Sequence, residues 1–450
     1  MGSPAETGTG TSNITTNGII EKQLLKFIES EVDTLRLPMS SPYIYKVSKE
    51  LRNGHSKLFD PISISIGPLH YDETSPAQEL KKWFLKNFLD RVEKVRITKQ
   101  RVAEVISSLE KHARESYRDI DTGVTEYVFS EIMLLDGCFI VELLLSQDYK
   151  DFGTSTLVGN TEKVPFLTLQ QDLLKIENQL PFNVLKHLAD LALSNNSQSF
   201  SQGNTKTPEN KNPTLIELAL KFFNISKPES FKIDNPRHLL ELAMNALFHK
   251  TDQDPNQDPS AQTIQVDPET FLSEAKTASD LETYGVEFQA GKSKNLTDIQ
   301  FSNGVFTIPP LTIQESTSTR FWNFLVFEMS SSSSRIFTSY VVLMDTLINN
   351  EKDVEVLLRS KILLSRDNDI RGLVSLFNDL SANVRQKDFY FEPLIQKVNR
   401  YCGSGFRPQR AYLVRNYYDA RWDVLNNALL FIFTVTQTLF SVLSYKPKGQ

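Results

Sequence analysis

Three acidic residues sit in sequence surroundings that exclude water. Asp136 and Glu142 fall inside the apolar run SEIMLLDGCFIVELLL (130–145), and Glu177 falls inside PFLTLQQDLLKIENQLPFNVLKHLADLAL (165–193). An ionised carboxylate in such a place is costly unless a cation or hydrogen-bond donors compensate it. Two of them converging on one pocket would make a general acid/base pair, the chemistry of a hydrolase or transferase. The competing reading is structural. Glu177, Asn178 and Gln179 would satisfy backbone groups where one helix breaks, before Pro181 restarts the next. The structural role is the stronger expectation, so no catalytic residue is assigned.

The rest of the chemical inventory is thin. His55, His70, His112, His187, His238 and His249 are scattered, with no His-Glu-x-x-His and no Cys-x-x-Cys, so neither a metal nor a cofactor is expected. His238 and His249 could share a helical face, but no third ligand accompanies them. No glycine-rich phosphate loop opens a helix, and no Gly-x-Ser-x-Gly elbow is present. A net charge of −6 over 450 residues gives no pull towards nucleic acid. Two cysteines, Cys138 and Cys402, exclude a disulfide-stapled scaffold.

The elements that must position the acids are mostly helical. Tyr127–Leu145 reads as a core helix, because its carboxylates argue against a membrane span. Leu169, Leu173, Leu174 and Ile176 form one apolar face. The stretch 75–120 is charged and periodic, and helices follow at 317–328, 335–350, 351–359, 369–385, 388–401 and 408–420. Alternation at Ile62, Ile64 and Ile66 predicts a short strand over 61–67. The period turns to two again in GVEFQAG and IQFSNGVFTI, where Asn303-Gly304 signals a hairpin. Residues 1–18 read as a disordered tail and 19–37 as an amphipathic helix. A main domain follows over 43–420, with low-complexity loops at 194–213 and 251–268.

The last stretch, Val424 to Ser444, carries no charge and contains Leu429, Phe431, Phe433, Leu439, Phe440 and Leu443. Its length matches a hydrocarbon core of roughly 30 Å. With no apolar N-terminal leader, the expectation is a single-pass C-terminal transmembrane anchor in the plasma membrane or an endomembrane, with the N-terminal domain in the cytosol. Asn427, Thr434, Gln437, Thr438 and Ser441 share one side of that helix, so it could instead pack on a soluble core. The fold class is therefore mostly α (α+β): a large helical domain with a small β-sheet and hairpin, closed by the transmembrane helix.

A set of blocks carries a family resemblance. They are IYKVSKELR (44–52), PISISIGPLHY (61–71), KKWFLKNFLDR (81–91), LLDGCF (134–139) and DLLKIENQLPFNVL (172–185), then GVEF (285–288), IPPLTI (308–313), FWNFLVFE (321–328), YVVLMDTLINNEKDVEVLL (340–358) and RWDVLNNALLFIFTVTQTLFS (421–441). In this order they resemble the plant family called "domain of unknown function 247". The motif residues are Asp136, Gly137, Cys138 and Phe139, and Glu177, Asn178, Gln179, Leu180, Pro181 and Phe182; their expected role is structural. The chain departs at Val47-Ser48, where the family has Val-Pro, and at Asp419-Ala420-Arg421-Trp422, where it has Asn-Pro-Trp. The resemblance implies a plant recognition protein with a protein partner, since some grass members are implicated as pollen-side determinants of self-incompatibility. The loops 194–213 and 251–268 would then be contact surfaces.

Overall fold

The computed structural model describes residues 42–121, 123–146, 165–194, 213–227, 233, 235–250, 275–330, 335–365, 369–384, 389–407, 409 and 421–444, with side chains of the last segment described over 428–441. The expected tail 1–18 and helix 19–37 lie outside these residues, as do 195–212 and 251–268.

Helices come in chain order as α1 (Lys49–Arg52), α2 (Ala77–Lys94), α3 (Lys99–Arg114), α4 (Glu126–Leu145), α5 (Phe166–Asp172), α6 (Phe182–Leu193), α7 (Leu215–Phe222), α8 (Leu239–Leu247) and α9 (Ala278–Thr283). Four short strands follow: β1 (Glu287–Ala290), β2 (Gln300–Ser302), β3 (Val305–Ile308) and β4 (Leu311–Ile313). The chain then runs through α10 (Ser316–Ser330), α11 (Ile336–Leu347), α12 (Glu351–Arg359), β5 (Leu363–Ser365), α13 (Ile370–Ser381), α14 (Glu392–Cys402) and α15 (Arg421–Ser444).

The mostly helical α+β class is observed, and its core is organised on α4. That helix is buried on nearly every side from Phe129 to Leu144 and packs against α2, α3, α6 and α7. A helix apolar all round has to be central. Gly137 brings α6 close: a Cβ there would stand 2.5 Å from Leu188 Cδ1. Phe139 meets Phe84 of α2 edge to face at 4.8 Å. A second layer, α10, α11 and α13, joins through α10, which also touches α5 and α8. The expected single helical stretch 75–120 is two helices, because Arg96 turns left-handed (φ 61°) and Thr98 caps α3 through the Arg101 amide.

The Asn303-Gly304 hairpin forms between β2 and β3, with both turn residues at positive φ. β1 lies parallel to the other side of β3, and β4 pairs in parallel with β5. Residues 61–67 are not a strand, which corrects the expectation from their alternating isoleucines. Side chains replace the missing neighbour: Asp172 accepts the amides of Ile62, Ser63 and Ile64 at 2.7–3.0 Å, Asn178 accepts Ile66, and Asp136 accepts Gly67. With these five backbone donors taken, the segment needs no sheet partner for them.

Gly67 ends that segment at φ +75°, and a Cβ there would lie 2.8 Å from the Gln179 carbonyl oxygen. Gly67→Ala is therefore expected to cost about 2 kcal/mol from the left-handed backbone and the fixed contact. Chemical denaturation checks it; an unchanged midpoint would refute the constraint.

The expected transmembrane span at 424–444 falls on α15, and part of its side chains lies outside the described residues. Among the described residues no helix is long and apolar enough to cross a membrane. Thr434, Thr436, Gln437 and Thr438 interrupt the apolar side chains described over 428–441. Packing against the domain is not seen either: every side chain from Ala428 to Ser441 is exposed.

Candidate functional site

Each buried acid is occupied by a partner. Asp136 Oδ1 meets Lys81 Nζ at 2.5 Å, with both side chains almost wholly buried, and Oδ2 takes the Gly67 amide at 2.8 Å. Lys81 also donates to the Ser65 carbonyl at 2.6 Å. Burial raises the Asp136 carboxyl above its ordinary value, and the lysine and the Gly67 amide counter only part of that. Glu142 holds Arg91 in a two-toothed pair, Nε at 2.6 Å and NH2 at 2.9 Å.

Glu177 carries the densest set. Oε1 accepts the Val47 amide at 2.7 Å and Arg52 Nε at 3.2 Å; Oε2 accepts Arg52 NH2 at 2.7 Å and faces His70 Nε2 at 2.8 Å. Burial pushes this carboxyl up, but the bonds from His70, Arg52 and Val47 outweigh it and hold the carboxyl below its ordinary value. Arg52 reaches Asp60 as well, at 2.8 Å. The possible ligand atoms of Asp60, His70 and Glu177 lie within 4.8 Å of one another, a spacing that could hold a metal ion. The Arg52 guanidinium already bridges the two carboxylates, so the donor set fits an arginine clamp better than a cation.

The neighbours of Glu177 complete the structural account. Asn178 Nδ2 donates to Ile64 O and Asp172 O, and Gln179 Nε2 donates to Leu173 O and Lys175 O. Gln179 Oε1 accepts the Leu240 amide, so one side chain ties the break after α5 to α8. Leu180 is buried, Pro181 occupies the N-cap position of α6, and the Phe182 amide donates to Arg237 O. Cys138 is a buried free thiol that burial pushes well up, which removes it as a nucleophile.

Two acids that the sequence reading did not single out do the same work. Asp172 receives three amides and pairs with buried Lys175 at 3.1 Å. Glu328 accepts the Phe337 and Thr338 amides at the start of α11, and burial raises its carboxyl. Their sequence signal is an acid inside or ending an apolar block, the same signal that marks Asp136. His238 caps α8 through Nδ1, which accepts the Glu241 amide, and burial holds its imidazole well below the usual value.

The clamp has a second consequence. Arg52 and Asp60 bracket a loop whose inner side is pinned by Lys175 Nζ on Asp60 O (2.5 Å) and Asn323 Nδ2 on Leu58 O (2.9 Å). The loop presents the His55 ring onto Trp322, stacked at 4.5 Å and 30°. It forms one wall of a cleft of about 860 Å³, whose other walls are the end of β4, the first turns of α10, Ser365 of β5 and one face of α13. Asp136, Glu142 and Glu177 do not line it.

The chain is 27% identical over 438 residues to a UPF0481 protein of Arabidopsis thaliana, covering 89% of this chain and 86% of that one. It is 21% identical over 502 residues to a second, putative UPF0481 protein of the same plant, covering 93% of each. No solved structure matches. The family described as "Plant protein of unknown function" (DUF247) matches residues 44–436, and the chain belongs to that family.

Proposed function

We propose that this chain is an interaction protein that binds another protein while associated with a membrane through α15. The observation that carries the membrane part is the exposed apolar surface of that helix. Leu429, Leu430, Phe431, Ile432 and Phe433 are consecutive and all exposed, Phe431 by 71%, and Leu439 and Phe440 continue the surface, Phe440 by 74%. An apolar rod bare all round requires a cover. Its hydroxyls suit an apolar one: Thr434, Thr436 and Thr438 each donate to a carbonyl one turn back at 2.7 Å. The association proposed is attachment at a plasma-membrane or endomembrane surface, with the domain on the cytosolic side.

The interaction part is supported by the spent acids. A hydrolase or transferase working through Asp136, Glu142 and Glu177 gains no support, because each carboxylate is bound to a cation and none lines the cleft. The self-incompatibility role implied by the resemblance is the finer form of the same reading. It would place allelic contacts on 194–213 and 251–268, and exchanging those segments with a relative's should change which partner is recovered.

Flotation on phosphatidylcholine vesicles tests the membrane association. The full chain is expected to float and the 1–420 chain to stay behind with an unchanged thermal midpoint. Both chains remaining at the bottom would remove the membrane from the reading.

A further inference from the structure

We propose that the cleft between the 53–58 loop and α13 seats a short basic segment of a protein partner. This rests on the interaction reading above, and it is independent of α15. The cleft's volume of about 860 Å³ is that of a recessed pocket rather than a flat contact. Among the described residues its ionisable lining is one-sided: Glu315, Asp369 and Asp379 face Lys57 and the His55 ring. Asp369 Oδ1 accepts the Gly372 amide at 2.9 Å, and Asp379 Oδ2 accepts the Ser375 hydroxyl at 3.0 Å. Each carboxylate is thereby fixed in direction, and among the described residues its second oxygen is left for an incoming donor.

That chemistry selects arginine over lysine. A guanidinium is planar, always charged and able to bond a carboxylate while lying against a flat ring. The ring on offer is His55, backed by Trp322 and held by the pinned loop. A wall clamped by Arg52, Asp60 and Glu177 is already in place before the ligand arrives, so little ordering cost is left for binding. An acidic partner or an anionic lipid surface is disfavoured by the same three carboxylates.

The test is fluorescence anisotropy of the full chain with a labelled nonapeptide alternating arginine and glycine, against the same peptide carrying glutamate for arginine. The cleft triple variant Glu315→Gln, Asp369→Asn, Asp379→Asn keeps shape, and asparagine still caps α13. A matched triple, Glu126→Gln, Glu287→Gln, Glu355→Gln, makes the same charge change on exposed residues elsewhere. The expected result is that only the arginine peptide binds, about tenfold more weakly to the cleft variant and unchanged with the matched one. Equal losses in both triples, or none in the cleft triple, would overturn the cleft.

Cross-linked recovery of a protein from plant membrane fractions separates this failure from that of the parent reading. A partner recovered equally by wild type and cleft variant overturns the cleft and leaves the interaction reading standing. No partner recovered by wild type takes both down.

Discussion

Asp136→Asn is expected to lower the unfolding free energy by about 3–5 kcal/mol, the range for removing one partner of a fully buried pair. The Lys81 ammonium would be left inside the protein with the Ser65 carbonyl and no counter-charge. Against a typical total of about 5–15 kcal/mol, that is enough to leave a visible unfolded fraction at ambient temperature. The control is the double variant Lys81→Met, Asp136→Asn. It withdraws the stranded charge, keeps an acceptor for the Gly67 amide, and fills the ammonium's place with a side chain of similar length. We expect it to recover about half of the loss. Urea denaturation of the two variants decides the matter; a double no better than the single would mean the pair is not what holds this junction.

The role of these acids was legible in the sequence to a useful degree, and the reason is physical. A carboxylate inside an apolar helix has few options, and spending it on backbone amides is the common one. Asp136, Glu142 and Glu177 could therefore be read as groups in need of cations or amide donors, and Asn303-Gly304 could be read as a turn because few residue pairs tolerate its backbone. What those acids hold was not legible. The alternation Ile62, Ile64, Ile66 is what any extended segment with one covered face produces. Only the fold shows that Asp172, Asn178 and Asp136 stand where a second strand would be, and that Ile62 is exposed.

The cleft was hidden for a different reason. Its walls come from residues 54–58, 313–322, 365 and 369–379, brought together by packing between elements some three hundred positions apart. β5 was missed because three residues are too few to show a period. The α15 stretch shows the converse. Its composition reads as apolar with one polar side, which left open whether it crosses a bilayer or packs on a soluble core. The structure leaves its side chains bare over 428–441.

Glu177→Gln should cost about 2–4 kcal/mol, less than the Asp136 change, because the side chains it releases can rehydrate. Arg52 is 23% exposed and His70 is 20% exposed, whereas Glu177 itself is enclosed. Glutamine keeps an acceptor for the Val47 amide but brings an NH2 group towards Arg52, so the bridge to Asp60 loses its anchor. The pH dependence identifies the cause. The Glu177 carboxyl lies below its ordinary 4.5 in the folded state, so the unfolded chain binds the proton first as pH falls. Its contribution is therefore fully present above about pH 4.5 and drains away as pH drops through the lower folded value. The gap in thermal midpoint between wild type and Glu177→Gln should be widest near neutrality and narrow steadily in acid. Asp136 titrates in the opposite sense: its raised carboxyl is protonated more readily in the folded chain, so acid does not remove its contribution in that way. A gap between wild type and Glu177→Gln that stays constant down to pH 3 would show that the carboxylate's charge is not what holds Arg52 and His70. The 53–58 loop would then need another source of rigidity, and the arginine-peptide affinity of Glu177→Gln would match wild type instead of falling with the loop's order.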